Sequence, residues 1–253
     1  MNIDTITSQL EALRMRTAAR ELPEILGRQR GAVSLDWLSD LFQNEIDARK
    51  ERAINNRIRR AGFPEITSIE TFDFAFNPDI SREKIESLAT LEFMKSNQIA
   101  LFLGPPGTGK THIAAALGVK AARQGYRVHC TSAKRLAQNI TVAKLRNNLD
   151  SLFRKILAAD LWIIDDWGVI SMNREVAEEV FDLLDRRKNN AAMILTSNRD
   201  VQEWGEVFPD LVIANATIDR IFDRAQIVIF KGKSYRLKGR LKMNDIDITK
   251  MNA

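Results

Sequence analysis

The chain has 253 residues, of which 45% are hydrophobic and 28% are charged, and its formal net charge is +5. This composition is typical of a soluble globular protein, and no apolar run approaches the roughly 20 residues that span a membrane. The start of the chain lacks the apolar core of a secretory signal, and Cys130 is the only cysteine. These features favour the cytoplasm, and the positive charge weakly favours an anionic partner.

The first 62 residues show the apolar spacing of helices and predict a small N-terminal helical domain, residues 1–62. Pro23 is expected to break or bend its first helix, and Gly62 is expected to end its second. Residues 63–81 show no clear period and are interpreted as a connector. Residues 82–253 then form the third predicted region.

Basic residues dominate the end of the second helix. The segment RKERAINNRIRR, which includes Arg57 and Arg59, carries a single acid, Glu51. One interpretation is a solvated helix face, and the other is a series of phosphate contacts along the helix.

Short apolar strands alternate with helical segments from residue 98 onward. The predicted strands are QIALFL, YRVHC, LWIID, AAMILTSN and QIVIF. A charged helical stretch is expected from Ser132 to about Ala158, between the second strand and the third. This alternation predicts an α/β domain in which helices cover both faces of a parallel sheet.

A phosphate-binding loop follows the first of these strands. GPPGTGKT matches G-x-x-x-x-G-K-[ST] in full at a predicted strand–helix junction, where backbone N–H groups and the helix dipole favour phosphate oxygens. Lys110 is expected to reach the β- and γ-phosphates of ATP, and the Thr111 hydroxyl to bind Mg²⁺. His112 is expected near the nucleotide. The predicted nucleotide-binding residues of the loop are Gly104, Pro105, Pro106, Gly107, Thr108, Gly109, Lys110 and Thr111.

Two adjacent carboxylates, Asp165 and Asp166, follow the apolar run LWII. The pair is unexpected because adjacent side chains of a strand point to opposite faces. Phosphoryl transfer explains it, since such sites use an acid at the end of a neighbouring strand to hold Mg²⁺. Asp165 is therefore assigned to Mg²⁺, and Asp166 to the water that attacks the γ-phosphate. A solvated turn is the alternative.

Two further features complete the predicted site. Asn198 follows the fourth strand and is expected to orient the attacking water, although an ordinary strand-end asparagine is the alternative. Arg220 and Arg224 lie four residues apart on a late helix, where one of them could neutralise transition-state charge in a neighbouring subunit. A solvated or salt-bridged helix face is the alternative for both arginines.

The order GPPGTGKTH, LWIIDDWG, LTSN, IDRIF and KSYRL resembles the AAA+ ATPases of the IstB family, helpers of insertion-sequence transposases. The upstream segment RRAGFPEITSIETFDFAFNP is also similar, so the likeness covers nearly the whole chain. The resemblance implies an ASCE P-loop domain with three αβα layers and a sheet of order 5-1-4-3-2. It also implies that Asn198 is sensor one and that Arg220 is the arginine finger.

The resemblance further implies cofactors and partners. ATP and Mg²⁺ are the expected cofactors. The expected partners are double-stranded DNA, a cognate transposase and further copies of the chain, with nucleotide at the subunit interfaces. The segment between the second and third strands usually faces DNA in AAA+ assemblies, and here it contains Lys134, Arg135, Lys144 and Arg146. Contacts to phosphates would be salt-sensitive and largely independent of sequence, and a solvated helix is the alternative.

The chain departs from typical AAA+ proteins in two ways. Most of them carry glutamate where this chain has Asp166, and the shorter side chain predicts slow ATP hydrolysis. Only 55 residues follow Asn198, too few for a full four-helix lid. The tail is instead predicted as two strands joined at KGK, and Arg236 is expected to stand in for a lid arginine.

Three functions compete on this basis. The first is a DNA-binding AAA+ ATPase that activates a transposase, which the N-terminal segment and its junction favour. The second is a helicase loader that acts on single-stranded DNA. The third is an architectural DNA-binding protein that uses ATP only for assembly. Binding to duplex DNA would separate the first from the second, and phosphate release would exclude the third.

Overall fold

The structure is a computed structural model that describes residues 3–28, 34–188 and 190–237. The chain divides into two compact units, Met1–Asn56 and Arg57–Ala253. Among the described helices, none combines the length and the apolar character needed to cross a bilayer.

The first unit contains α1 (Ile3–Ala12), α2 (Arg16–Gly27) and most of α3 (Asp36–Ala61). Pro23, expected to break or bend the helix, does not break it, because α2 runs through this residue. The chain breaks instead at Arg14, whose φ is 62°, where the Met15 N–H closes the end of α1 on the Leu10 carbonyl at 2.8 Å.

The second unit begins within α3, which ends before Gly62, as predicted. Gly62 has a φ of 81°, a conformation that glycine adopts without strain. The helices that follow are α4 (Arg82–Ala89), α5 (Glu92–Lys95), α6 (Lys110–Arg123), α7 (Ala133–Leu145), α8 (Leu149–Leu157), α9 (Arg174–Arg187) and α10 (Leu211–Phe222). The strands are β1 (Ile99–Leu103), β2 (Val128–Ser132), β3 (Leu161–Trp167), β4 (Ala192–Ser197) and β5 (Ala225–Ile229). Short 3-10 helices cover Ile69–Thr71, Val201–Val207 and Tyr235–Leu237.

The sheet is parallel with the order β2-β3-β4-β1-β5. This is the predicted order 5-1-4-3-2 seen from the other edge, so the prediction is confirmed. Alternate residues of β3 pack on opposite faces of the sheet. Trp162 and Ile164 belong to a core shared with α7, α8, α9 and α10. Ile163 packs on the other face, where Gly118 lets α6 approach: a Cβ at Gly118 would lie 2.6 Å from the Ile163 side chain.

Two element boundaries differ from the predictions. The helical stretch predicted from Ser132 to Ala158 is two helices, because Asn147 adopts a φ of 49° between α7 and α8. Asparagine tolerates this left-handed conformation better than most residues. The prediction of a second tail strand is wrong over residues 234–237, which form no strand and include the 3-10 helix Tyr235–Leu237; the rest of the predicted strand lies outside the described residues.

Candidate nucleotide-binding site

The loop 104–109 joins β1 to α6 at the carboxyl edge of the sheet. Gly104 and Gly107 have φ values of 145° and 78°. A Cβ atom at Gly104 would lie 2.0 Å from the Phe230 carbonyl oxygen, and one at Gly107 would lie 2.1 Å from the Ser234 hydroxyl. The loop therefore needs glycine at both positions, because the chain after β5 packs directly against it.

Lys110 is the first residue of α6, and its side chain is buried. Its Nζ atom donates hydrogen bonds of 2.7 Å to the Gly104 and Pro105 carbonyl oxygens. Burial lowers the pKa of Lys110 to about 8, although the nearby carboxylates of Asp165 and Asp166 act in the opposite direction. The amine is thus held within the loop that the sequence assigns to phosphate.

Asp165 lies beside the start of α6. Its Oδ1 atom accepts hydrogen bonds from the Thr111 hydroxyl at 2.8 Å and from the Thr196 hydroxyl at 2.5 Å. A carboxylate and a hydroxyl oxygen are hard donors of the kind that Mg²⁺ prefers. No group of three or more His, Cys, Asp and Glu side chains that could hold a metal ion occurs in the described residues, so Mg²⁺ here would also need nucleotide oxygens and water.

A β-bulge explains how adjacent aspartates serve one site. Ile164 pairs with Leu195 and Trp167 pairs with Ser197, so that Asp165 and Asp166 together face a single residue of β4. Asp166 adopts a φ of 56° at this bulge. The bulge interrupts the regular alternation of side chains, and both carboxylates come to lie at the same edge of the sheet.

Asn198 meets Asp166 at this edge. The Asn198 amide donates a hydrogen bond of 3.0 Å to the Asp166 carboxylate. Burial and then the neighbouring charge of Asp165 raise the pKa of Asp166, whereas the Asn198 bond and the Lys110 charge act against the rise. The structure therefore brings together Lys110, Asp165, Asp166 and Asn198.

Arg236 also lies near these groups. Its positive charge lowers the pKa values of both Lys110 and Asp166. The chain that carries it is fixed on two sides. The Tyr235 N–H donates to the Gly107 carbonyl at 2.8 Å, and the buried Asn77 amide bonds both the N–H and the carbonyl of Lys233, at 2.9 and 3.0 Å.

His112 lies in the first turn of α6. Its Nε2 atom lies 2.9 Å from the Thr67 hydroxyl and 3.2 Å from the Ser68 carbonyl oxygen, and its Nδ1 atom lies 3.3 Å from the Glu65 carboxylate. The ring therefore contacts the connector. The connector in turn touches the loop through Phe72, whose ring would lie 2.3 Å from a Cβ at Gly109.

Arg220 lies at the opposite edge of the sheet. It lines a small cavity with Ile99, the first residue of β1. Its guanidinium donates to Asp185 at 2.6 Å and to Asp219 at 3.1 Å, and these bonds raise its pKa. Arg224 lines the same cavity and is exposed, with a φ of 60°. Neither arginine belongs to the cluster around Lys110 in its own chain.

The basic residues predicted to bind DNA do not form one group. Lys144 pairs with Glu179 of α9 at 3.1 Å and with Glu175 at 3.7 Å. Lys134 and Arg135 are exposed in the first turn of α7. On α3, Arg59 is exposed and Arg57 is half-buried.

Arg146 shares a groove with a residue that the sequence analysis missed. The groove lies between α7 and α8, has a volume of about 760 Å³ and is also lined by Lys155. Its described lining contains the polar side chains of Gln138, Asn139, Asn148 and Ser151 and no acid. These charges suit an anionic ligand.

Two other residues escaped the sequence analysis. Thr196 stands two positions before Asn198 in the stretch LTSN, a hydroxyl at a strand end that could have drawn attention. Asn77 had no comparable signal, because its partner Lys233 is 156 residues away in the chain.

Comparisons with known proteins agree with this arrangement. The family described as IstB-like ATP binding protein matches residues 5–243. The ATP-binding protein of insertion sequence IS21 from Pseudomonas aeruginosa is 40% identical over 207 residues, covering 82% of this chain and 78% of the relative. The corresponding protein of IS232 from Bacillus thuringiensis subsp. berliner is 33% identical over 243 residues, covering 95% and 97%.

Solved structures share the fold at lower identity. The crystal structure of DnaI is 21% identical with a TM-score of 0.56, covering 66% of this chain and 89% of that one. The replication initiator DnaA bound to AMPPCP and single-stranded DNA is 22% identical with a TM-score of 0.57, covering 70% and 54%. These likenesses show an AAA+ P-loop fold.

Proposed function

The chain belongs to the IstB-like ATP-binding proteins of insertion sequences, and from this premise we propose that it hydrolyses ATP, assembles on double-stranded DNA and recruits a cognate transposase. The observation that carries the proposal is the hydrogen-bonded cluster at the carboxyl edge of the sheet. Thr111 bonds Asp165 and Asn198 bonds Asp166, next to a buried Lys110. If the two aspartates lay in an exposed turn, the alternative interpretation, their side chains would not require these hydrogen-bond partners.

The roles follow from the chemistry of each group. The loop N–H groups and Lys110 bind the phosphates of ATP. Thr111 and Asp165 would hold Mg²⁺, which neutralises phosphate charge when it is bound. Asp166 accepts the proton of the attacking water, and Asn198 orients this carboxylate. Arg236 adds positive charge beside the phosphates.

We further propose that hydrolysis is slow in a single chain. Asp166 is one methylene shorter than glutamate, and Asn198 already occupies one of its carboxylate oxygens. The acceleration comes from Arg220 of a second copy, because its own chain holds Arg220 at the other edge of the sheet. The homo-oligomer would therefore have nucleotide at its subunit interfaces.

DNA contact is assigned to basic side chains of α3, α7 and α8. Arg146 and Lys155 form the strongest part of this surface, since their groove has no acid in its described lining. Lys134, Arg135, Arg57 and Arg59 would add phosphate contacts. Lys144 would contribute less than expected, because Glu179 and Glu175 neutralise it.

The test is binding of the full chain to labelled duplex and single-stranded DNA with ATP, a slowly hydrolysed analogue or ADP, together with phosphate release. We expect ATP-dependent assembly on duplex DNA and slow, DNA-stimulated release of phosphate. Preference for single-stranded DNA would contradict this function and favour a helicase loader. Assembly on duplex DNA without phosphate release would leave an architectural protein that uses ATP only to assemble.

A further inference from the structure

We propose that Thr196 is the positioning residue that fixes both aspartates of the nucleotide site through one hydroxyl group. The proposal rests on the proposed function in one respect, namely that Asp165 and Asp166 serve ATP and Mg²⁺. Its geometric part rests only on the contacts of β3 and β4.

The Thr196 hydroxyl makes two hydrogen bonds of opposite direction. Its side chain is fully buried. Its Oγ1 atom donates to Asp165 Oδ1 at 2.5 Å and accepts from the Asp166 backbone N–H at 3.0 Å. A hydroxyl has one proton and two lone pairs, so one threonine can satisfy both aspartates at once.

The bulge creates the need for this hydroxyl. Two residues of β3 face Thr196 alone, which disrupts the regular ladder around Asp166. A backbone N–H group without a partner is unfavourable inside a protein, and the Thr196 side chain supplies the acceptor. It thereby holds Asp166 in the left-handed conformation that a side chain other than glycine seldom adopts.

The same hydroxyl orients the predicted metal ligand. Asp165 Oδ1 accepts bonds from Thr111 on one side and from Thr196 on the other. Groups that hydrogen-bond a metal-binding carboxylate fix its orientation, and their loss typically costs about 10- to 100-fold in metal affinity. We therefore expect Thr196 to act on Mg²⁺ through Asp165 and on the attacking water through Asp166.

Two substitutions separate the hydroxyl from the volume of the side chain. Thr196→Val replaces the hydroxyl by a methyl group of similar size, and Thr196→Ser keeps the hydroxyl. Thr131→Val is the matched control, because Thr131 is also buried in the sheet but lies on β2 and makes no bond to either aspartate. If Thr196→Val does not fold, Thr196→Ala removes the hydroxyl without filling its place.

The first measurement is binding of a fluorescent ATP analogue to the full chain as Mg²⁺ is titrated, which needs no turnover. We expect Thr196→Val to raise the half-saturating Mg²⁺ concentration by about 10- to 100-fold. Thr196→Ser and Thr131→Val should stay close to the wild type. The second measurement is amide exchange at Asp166, which should become faster in Thr196→Val and remain slow in the other two variants.

The outcomes distinguish this inference from the proposed function. An unchanged Mg²⁺ requirement and unchanged exchange at Asp166 in folded Thr196→Val would overturn the inference. Equal effects in Thr131→Val would also overturn it, because they would reflect packing of the sheet. Failure of the wild type to bind ATP would sink the proposed function, whereas amide exchange would still decide whether Thr196 fixes Asp166.

Discussion

The two edges of the parallel sheet differ in what they hold. At the carboxyl edge, acids, hydroxyls and an amide bond each other around Lys110. At the amino edge, Arg220 pairs with acids of its own helix and of α9, and Arg224 is exposed. A single chain therefore brings the nucleotide-binding groups together without help from a second copy. If Arg220 acts in catalysis, only a second copy can bring it to them.

Removal of the Arg220 side chain is expected to have the largest effect on ATP turnover. Arg220→Ala is expected to slow DNA-stimulated ATP turnover by about 10³- to 10⁵-fold, the range known for arginines supplied in trans. ATP binding should persist, because the carboxyl edge is untouched. Arg224→Ala is the matched control on the same cavity and should change turnover far less.

Mixing two variants tests whether Arg220 of one subunit acts on the nucleotide of another. Subunits with Asp166→Asn still bind ATP and keep Arg220, and subunits with Arg220→Ala keep an intact loop and Asp166. Mixed assemblies should therefore hydrolyse ATP faster than either variant alone. A mixture no faster than its parts would contradict action in trans, and a larger loss in Arg224→Ala would move the role to that residue.

Asp166→Asn tests the carboxyl edge itself. The amide is isosteric but a poor proton acceptor, so turnover should fall by about 10²- to 10⁴-fold, the usual contribution of a general base. ATP affinity should not fall, since burial and Asp165 already disfavour the charge of Asp166. Phosphate release and nucleotide binding, measured on the same preparation, test whether turnover falls while ATP affinity is retained. Wild-type turnover would show that another group accepts the proton.

Lys110→Ala removes the cation of the loop. Charged hydrogen bonds of this kind support a loss of about 100-fold in ATP affinity, and ATP-dependent assembly on DNA should disappear. Lys120→Ala is the control, because Lys120 lies in the last turn of the same helix. Assembly that survives Lys110→Ala but not Lys120→Ala would refute the assignment of phosphate to the loop.

The sequence predicts much of the carboxyl edge because its signals are local. The glycines and Lys110 form a contiguous motif, and Asp165 and Asn198 each follow an apolar strand. Strands of a parallel sheet deliver such residues to one edge. The sheet order itself came from the family resemblance and was confirmed by the pairing of the strands.

Other features depend on contacts that no local pattern encodes. The bulge at Asp166 inserts one extra residue into β3, and only the pairing of β3 with β4 reveals it. In the sequence, Arg187 stands at the end of a charged helix, where an exposed side chain is expected. In the structure it is buried, and its guanidinium donates hydrogen bonds to the carbonyl groups of Ile156, Ala159 and Ala192. Asn77 and Lys233 meet only after the whole sheet has formed. Tertiary contacts decide all three.

The smallest predicted effect concerns pH. In nucleotide-free protein, burial lowers the pKa of Lys110 to about 8. Phosphate binding requires the charged amine, so ATP affinity should fall by about tenfold between pH 7 and pH 9 as Lys110 loses its proton. Residual binding to Lys110→Ala should lack this slope. An equal slope in both proteins would assign the pH dependence to another group.

Stability should change in the opposite direction. Lys110 has an ordinary pKa of 10.5, so between about pH 8 and 10.5 the unfolded chain binds more protons than the folded one at this residue. Its contribution to the free energy of unfolding therefore rises with pH. Above pH 9 the buried Cys130 thiol acts against this trend, because burial raises its pKa to about 12. The difference between wild type and Lys110→Ala in denaturant titrations cancels the thiol. A difference that rises with pH while ATP affinity falls would show that one buried amine costs stability in order to bind phosphate.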